Sequence, residues 1–170
     1  MQELIIPLIT STRNKNGAKS DSSWMRKILK GQLEAGILDS AMLGISKNGK
    51  NITAAILSFP WKDCVYPRYF GCDYDWPQKD FRYFVLSYYA AIDHYATAQK
   101  FNRAFFSISA LEAKAKRGAT ISPLVALIAF RKNMLDSNQV RNNNRVNFER
   151  YKAIFNHRLS SEWSLMKDYI

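Results

Sequence analysis

Arg68 lies in an aromatic segment whose residue types could bind an anion. Residues 65–76 read VYPRYFGCDYDW, and strand alternation would place Tyr66, Arg68 and Phe70 on one face. An arginine beside aromatic rings can stack on them while its guanidinium holds a phosphate or a carboxylate. An arginine on the solvent side of a half-exposed sheet explains the pattern equally well. Our hypothesis is that this strand lines a binding cleft, with Arg68 and Tyr69 as candidate binding residues.

A second cluster concentrates cations beside a carboxylate. Residues 112–118 read EAKAKRG and place Lys114, Lys116 and Arg117 close to Glu112. If this stretch is helical, Lys114 and Arg117 lie on one side, three residues apart, and could grip a phosphate, a terminal carboxylate or a nucleic-acid backbone. An exposed basic turn with a Glu–Lys pair inside a helix is an equally good interpretation.

The histidines form no pattern that predicts catalysis or metal binding. His94 and His157 show neither the order of a Ser–His–Asp triad nor metal-ligand spacing, so we predict no metal site. The neighbours Tyr88 and Tyr89 are better placed, because one ring should face a sheet while the other reaches the cleft. Core packing is the favoured interpretation for Tyr88.

The hydrophobic pattern predicts an alternation of helices and strands in the first hundred residues. A polar loop over 10–23 precedes apolar residues at helical spacing over 24–36. Two apolar runs around an Asn-Gly turn predict a β-hairpin, and 65–72 predicts a third antiparallel strand. In that strand Pro67 marks an edge, a bulge or a splayed position. The stretch 81–99 predicts a long helix with one wide apolar face. The residues of this face are Phe81, Phe84, Val85, Tyr88, Ala91, Ile92 and Tyr95.

The remaining sequence completes a single α+β domain. Residues 104–109 and 119–130 predict two further strands, 137–145 predicts an asparagine-rich loop, and one or two helices end the chain. The predicted fold over residues 1–170 is a mixed, mostly antiparallel sheet flanked by helices.

The composition indicates a basic globular protein. The chain has 170 residues, of which 47% are hydrophobic, and 25 Lys and Arg against 14 Asp and Glu give a formal net charge of +11. This surplus favours polyanionic partners, namely RNA, nucleotide phosphates or an anionic membrane surface, although a basic protein without such partners has the same composition.

The cysteines and the apolar runs bear on the cellular location. Cys64 and Cys72 fit neither zinc spacing nor a disulfide framework, which predicts a reducing cytoplasm. No stretch approaches the roughly 20 apolar residues of a membrane span, and the N-terminus makes a poor signal peptide. A peripheral membrane-surface protein is a further alternative, which a basic amphipathic helix over 145–159 fits only loosely.

Three motifs in matching order resemble a known family over residues 5–160. They are Arg68-Tyr-Phe-Gly71, Tyr88-Tyr-Ala-Ala-Ile92 and Glu112-Ala-Lys114-Ala-Lys-Arg117-Gly118. They resemble the R-Y-W-G, Y-Y-x-A-I and Q-G-E-H-K-x-x-R-G motifs of the peptidoglycan-biosynthesis-like (FemAB-like) acyltransferases, which belong to the GNAT superfamily and are related to the Fem-type aminoacyl-tRNA:peptidyl transferases. The chain has Ala110, Leu111 and Ala113 where the family has glutamine, glycine and histidine. It resembles the C-terminal GNAT half alone.

The resemblance implies a GNAT-like fold and an enzyme that forms an amide from an activated acyl group and an amine. Splayed strands in such folds expose backbone N–H groups to the acyl carbonyl, and Pro67 and Gly71 are compatible with such a splay. The implied catalytic residues are Glu112 as the base and Tyr89 as a proton relay. The implied substrate-binding residues are Arg68, Tyr69, Lys114, Arg117 and Gly118.

The resemblance also implies the donor and the partners. Aminoacyl-tRNA is the favoured donor, because it suits the net charge of +11 and the Fem-type motifs. Acyl-CoA is the alternative, although the Gly-rich pyrophosphate turn typical of GNAT enzymes is missing from DWPQKDF at 75–81. The half-length chain is also compatible with a homodimer, with a partner subunit, or with a non-catalytic module that binds RNA or protein.

Overall fold

The chain forms two compact units. The computed structural model describes residues 2–19, 21–77, 81–98, 101–126 and 136–169. Met1–Ser107 is called the first unit below, and Ile108–Ile170 is called the second unit. The single domain predicted for the whole chain stays a prediction.

Two helices open the first unit. They are α1 (Gln2–Lys15) and α2 (Ser23–Glu34), so the helix predicted over 24–36 is confirmed. The loop predicted over 10–23 is wrong as far as Lys15. The apolar first half of α1 is buried in the core, and this tertiary packing extends the helix into a polar stretch that sequence pattern alone assigns to a loop.

The hairpin and the third strand are confirmed. Strands β1 (Met42–Asn48), β2 (Asn51–Trp61) and β3 (Cys64–Cys72) pair antiparallel in that order. The Asn-Gly turn between β1 and β2 needs a left-handed residue, which Gly49 supplies with a φ of 57°.

Strand β2 is buried on both faces, which explains its nearly continuous apolar sequence. Ala55 and Leu57 face the side chains of α1 and α2. Ala54 and Ile56 point the opposite way and pack against Leu86 of the following helix. The first unit is therefore a sheet with helices on both faces.

Gly71 is a position in the aromatic segment of β3 that has no room for a side chain. A Cβ atom on Gly71 would collide with the main-chain nitrogen of Ile9 and the main-chain carbon of Leu8. The backbone of α1 therefore lies directly against β3, and the hydroxyl of Thr12 accepts a hydrogen bond from the Cys72 N–H at 3.0 Å.

The helix predicted over 81–99 is confirmed from residue 82 to residue 98, and this helix is called α3. It is α-helical at Arg82–Phe84 and Ala90–Asp93 and π-helical at Val85–Tyr89 and His94–Ala98. The wider π turns rotate the side chains relative to a regular helix. The buried face differs from the predicted one: Tyr88, Ala91 and Tyr95 are buried as expected, whereas Val85 and Ile92 are exposed, as is Phe81, which precedes the helix.

The fourth strand is much shorter than predicted. Only β4 (Arg103–Ala104) forms, parallel to Cys64 and Val65 of β3. Its start is held by an ion pair of 3.3 Å between Arg103 Nη2 and Asp63 Oδ2. The sheet of the first unit is therefore mixed and mostly antiparallel, and the predicted α+β class is confirmed.

The second unit is helical and aromatic. It contains α4 (Leu111–Ala115), α5 (Ser137–Phe155) and two 3₁₀ segments, Asn156–Arg158 and Ser161–Tyr169. A small core forms from Ala115, Ile121 and Phe155, with the side chains that pack against it being Leu111, Tyr151, Leu159 and Trp163.

Two sequence predictions for the second unit are wrong. The loop at 137–145 is the first half of α5, because the Asp136 carboxylate caps the N–H groups of Asn138 and Gln139 and starts a helix there. The strand at 119–130 is reduced to a single parallel bridge between Ile121 and Leu159, and its residues 127–130 lie outside the described part.

Helix α5 is the longest element, with 19 residues, and its first ten residues are exposed on all sides. Within the ranges that the structure describes, no helix combines the length and the apolar character needed to cross a bilayer.

Candidate functional site

Arg68 is the extra residue of a β-bulge. Leu57 pairs with Tyr69 and Ser58 pairs with Pro67, so Arg68 has no opposite residue on β2. The bulge confirms that Pro67 marks an irregular position. It also makes the predicted alternation wrong, because one inserted residue reverses the faces of all residues beyond it. Tyr66 therefore lies opposite Phe59 and Phe70 lies opposite Ile56, on different faces of the sheet.

The two predicted binding residues of β3 have different surroundings. Arg68 is exposed, and its guanidinium carbon lies 5.8 Å from the centre of the Tyr69 ring. Tyr69 is half-buried, meets Phe59 edge to face, and accepts a hydrogen bond of 3.2 Å from Gln32 Nε2 of α2. Arg68 can therefore reach a ligand, whereas Tyr69 mainly joins the sheet to α2.

Strands β3 and β4 part after two residue pairs. The ladder consists of Cys64 with Arg103 and Val65 with Ala104, followed by one hydrogen bond of 2.8 Å from Phe105 N to the Val65 carbonyl. Pro67 has no N–H and cannot donate to a neighbouring strand. Beyond Val65 no further ladder pair joins this edge of β3 to a strand among the described residues of the first unit.

Aromatic rings line both sides of the segment that leaves β4. Phe105 stacks on Tyr66 at a centroid distance of 5.2 Å, and Phe106 stacks on Tyr88 of α3 at 4.8 Å. Tyr88 is buried, whereas 62% of its neighbour Tyr89 is exposed. The predicted core packing of Tyr88 is confirmed, and the predicted reach of Tyr89 into a cleft stays a prediction.

A buried hydrogen bond joins α3 to the bulge. Tyr95 donates from its hydroxyl to Ser58 Oγ at 2.6 Å, and Ser58 is the β2 residue opposite Pro67. Burial raises the pKa of the Tyr95 hydroxyl, and the hydrogen bond with Ser58 opposes that rise. Tyr95 is therefore a neutral donor at physiological pH that anchors the irregular part of the sheet.

The glycine of the second cluster ends α4. Gly118 has a φ of 94°, Ala119 N donates to the Lys114 carbonyl at 3.1 Å, and Gly118 N donates to the Ala115 carbonyl at 3.0 Å. This is the hydrogen-bond pattern of a Schellman motif, in which glycine takes the left-handed position. The structure thus gives Gly118 a backbone role, and its predicted contact with substrate stays a prediction.

Lys114 and Arg117 point away from open solvent. Lys114 is buried, and this burial lowers the pKa of its ammonium group. Arg117 is half-buried and donates from Nη1 to the Ala113 carbonyl of its own helix at 2.7 Å. Their predicted substrate binding stays a prediction, and Lys116 is the exposed cation of this cluster.

Glu112 lines a cavity within the second unit. The cavity has a volume of about 400 Å³, and α4, the end of α5 and the turn after it form its walls. Glu112 and Lys116 lie four residues apart and so share one side of α4. The lining residues are Glu112, Ala115, Lys116, Ile154, Phe155, His157 and Arg158.

Lys116 belongs to the second cluster but has no predicted role in the site, and neither His157 nor Arg158 is predicted to belong to that cluster. The spacing of four residues between Glu112 and Lys116 could have identified Lys116 as a site residue. His157 and Arg158 come from the chain after α5, where Asn156 adopts a φ of 28° and turns the backbone. No sequence signal joins this turn to α4, because their proximity depends on the packing of Ala115 and Phe155.

The predicted site residues fall in both units. Arg68, Tyr69 and Tyr89 belong to the first unit, and the four residues of the second cluster, Glu112, Lys114, Arg117 and Gly118, belong to the second. A common pocket for Arg68 and the second cluster stays a prediction.

Neither the models of known protein families nor the curated proteins match the sequence. Solved structures that align with it include a predicted acetyltransferase with acetyl-CoA from Clostridium acetobutylicum, 10% identical, with a TM-score of 0.47 over 81% of this chain and 91% of that chain. An aminoglycoside acetyltransferase from an uncultured soil metagenomic sample, in complex with sisomicin, is 14% identical, with a TM-score of 0.47 over 76% of this chain and 88% of that chain.

A possible acetyltransferase from Clostridium difficile 630 aligns similarly, at 13% identity and a TM-score of 0.45 over 77% of this chain and 90% of that chain. All three are described as acetyltransferases, the reaction class that the GNAT resemblance implies, and none is described as a Fem-type protein. Identities of 10 to 14% and TM-scores below 0.5 assign neither a family nor an activity to this chain.

Proposed function

We propose that the protein is an N-acyltransferase that moves an acyl group from a thioester of coenzyme A to an amine. The observation that carries the proposal is the parting of β3 and β4 directly before the bulge at Arg68. Two parallel strands that separate leave an opening between them, and one wall of that opening is the edge of β3 beyond Val65.

Such an edge suits an extended donor that carries amides. The pantetheine arm of coenzyme A contains two amide groups, and an extended chain can add to an exposed strand edge through main-chain hydrogen bonds. Main-chain N–H groups at the end of this arm could also stabilise the negative oxygen of the tetrahedral intermediate. Exposed Arg68 is the proposed partner of the donor phosphates.

The reaction requires balanced proton movements. The amine nitrogen attacks the thioester carbon, a C–N bond forms, the C–S bond breaks, and coenzyme A leaves as a thiolate. The attacking nitrogen loses a proton and the thiolate gains one. Tyr89, with 62% of its surface exposed on α3, is the proposed proton donor to the thiolate.

The other predicted residues stay predictions. They are Glu112 as the base that deprotonates the amine, and Tyr69, Lys114, Arg117 and Gly118 as substrate-binding residues. Acyl-CoA replaces aminoacyl-tRNA as the preferred donor, because the parted strands offer a place for an extended amide chain but no described feature is specific for tRNA. The net charge of +11 serves the phosphates of either donor.

The test is amine-dependent release of coenzyme A. Acetyl-CoA, named in the description of the Clostridium acetobutylicum structure, is the first donor to use. The purified protein is mixed with acetyl-CoA and with spermidine, lysine or sisomicin, while a thiol reagent follows free coenzyme A and mass spectrometry follows acetylated amine. We expect release above the rate without protein, and equal rates with and without protein for a broad set of amines would refute the proposal.

The variant Tyr89→Phe sharpens this test. Loss of a proton donor should lower kcat by about 100-fold with little change in KM for acetyl-CoA. Tyr74→Phe is the matched control, since Tyr74 is a partly exposed tyrosine of the same unit that packs under Lys15 and should leave kcat unchanged. Equal kcat values for both variants would remove Tyr89 from the mechanism.

A further inference from the structure

We infer that the cavity of the second unit is a binding site for a small carboxylate with an apolar body. This inference does not depend on the proposed acyl transfer, because it is tested by binding, although Glu112, the predicted base, also lines this cavity. The cavity combines charged groups at its rim with an apolar floor, the usual composition of a small-molecule site.

The charges at the rim favour an anion. Lys116 and Arg158 are basic side chains, and Glu112 is the single carboxylate among the lining residues. The two basic side chains outnumber the carboxylate by one, so the rim carries a net positive charge and suits a ligand with one negative charge.

Arginine also defines the kind of anion. Its planar guanidinium donates two parallel hydrogen bonds to a carboxylate, which has a matching pair of oxygen atoms. His157 stands beside Arg158 and can donate or accept one further hydrogen bond. A carboxylate is therefore the group that this rim recognises best.

The floor determines the rest of the ligand. Ala115 and Phe155 are buried members of the core of this unit, and Ile154 is 47% exposed on the cavity side. A volume of about 400 Å³ lies within the usual range for small-molecule sites. An aromatic or short aliphatic body attached to the carboxylate would bury this apolar floor and gain from the hydrophobic effect.

The rim is held in place by main-chain hydrogen bonds rather than by side chains alone. The Arg158 carbonyl accepts a bond of 2.8 Å from Ile121 N, and the Ile121 carbonyl accepts bonds from Ser160 N at 3.0 Å and from Trp163 Nε1 at 2.8 Å. The turn at Asn156 is thereby fixed before any ligand binds. A preformed site loses less conformational entropy on binding than a flexible one.

The probe is phenylacetate, and its neutral isostere phenylacetamide is the ligand control. Each is titrated into the isotope-labelled full-length protein at moderate salt, and amide chemical shifts are followed by NMR. We expect saturable shifts at Ala115, Ile154 and Arg158 with phenylacetate, and at least about tenfold weaker binding of phenylacetamide, since one charge-assisted hydrogen-bond pair is lost.

Two variants with matched controls locate the interaction. Arg158→Gln removes the cation and should weaken phenylacetate binding about tenfold or more, whereas Arg150→Gln on α5 removes an exposed arginine outside the cavity lining. Ile154→Asp places a carboxylate in the cavity and should also repel the probe. Its control is Val146→Asp, at a 59% exposed position of the same helix.

Each result decides for or against the inference. Weakening by Arg158→Gln and Ile154→Asp with unchanged binding in both controls supports it. Equal affinity for the two ligands, shifts confined to other residues, equal losses in controls and cavity variants, or no shift at millimolar phenylacetate would overturn it. Ile154→Asp changes a partly exposed side chain, so the test stands even if Arg158→Gln does not fold.

Discussion

The two units build their candidate sites from different materials. In the first unit the parted strands and the bulge are properties of the main chain, supported by a sheet that is packed on both faces. In the second unit the cavity is bounded by side chains of two helices and a turn, over a core in which Ala115, Ile121 and Phe155 are the buried apolar residues among those described.

This contrast indicates where each site is vulnerable. A side-chain substitution on the first unit's opening should alter chemistry while the backbone geometry persists, because ladder hydrogen bonds and two helical layers hold it. In the second unit a single core substitution removes a large part of the packing that shapes the cavity. The variants below test this contrast, in order of decreasing effect.

Gly71→Val should disrupt the first unit most strongly. Its new side chain would collide with the backbone of α1 at Leu8 and Ile9, which cannot move without separating α1 from the sheet. We expect a loss in the free energy of unfolding of more than about 4 kcal/mol, measured by denaturant titration with circular dichroism.

Gly31→Ala is the matched control for the glycine substitution. A Cβ atom at Gly31 meets nothing within 4 Å, and alanine is the better helix former, so α2 should gain up to about 1 kcal/mol. A Gly71→Val protein as stable as the parent would show that α1 does not lie against β3.

Phe155→Ala should destabilise the second unit selectively. Removal of a buried phenylalanine costs about 3 kcal/mol, and the described core of this unit has little else to compensate. Hydrogen exchange should accelerate at the amides of Ile121 and Ser160, which donate to main-chain carbonyls, while those of Ala55 and Leu57 in β2 stay protected.

The same exchange experiment also bears on the number of domains. Faster exchange in the second unit alone means that it opens independently. Equal acceleration in β2 would contradict the predicted selectivity and would instead support the single cooperative domain that the sequence analysis predicts.

Alkaline pH should affect two buried groups, one in each unit, in opposite directions. Burial raises the folded-state pKa of Tyr95, so its contribution to stability is present below the ordinary tyrosine pKa of about 10 and is lost as the pH rises further. Burial lowers the folded-state pKa of Lys114, so the unfolded chain binds more protons and stability rises with pH up to about 10.4.

Variants separate these two contributions, which are the smallest of the predicted effects. Tyr95→Phe should become more stable relative to the parent as the pH rises from about 9 to about 11, and Lys114→Met should become less stable relative to it over the window below about 10.4. Denaturant titrations at a series of pH values measure both trends. Parallel pH profiles for parent and variants would show that neither group titrates differently on folding.

The sequence predicts those parts of the fold that local chemistry specifies. An Asn-Gly turn between two apolar runs is sufficient to predict the β1–β2 hairpin. The sequence of β2 does not alternate between apolar and polar residues, because β2 is covered on both faces. Pro67 predicts an irregular strand because proline lacks an N–H, and the pair Tyr88 and Tyr89 divides between core and solvent because neighbours on a helix point apart.

The failures occur where distant residues decide the local structure. Alternation in the sequence of β3 cannot reveal the bulge at Arg68, because the register of β3 depends on its pairing with β2. The bulge places Tyr66 and Phe70 on opposite faces of the sheet. Polar sequence suggests loops at 10–15 and 137–145, yet both are helical, the first through burial of α1 and the second through the cap at Asp136.

Local sequence was enough to specify the α+β class, the hairpin, the interruption at Pro67 and the presence of Glu112 in a charged segment. Packing between distant segments decided which polar side chains lie near Glu112 in the cavity. Lys114 is buried, whereas Lys116, His157 and Arg158 line the cavity. The two kinds of information differ in range. Turn formation, capping and proline chemistry act within a few residues, whereas a cavity depends on packing between segments about 40 residues apart.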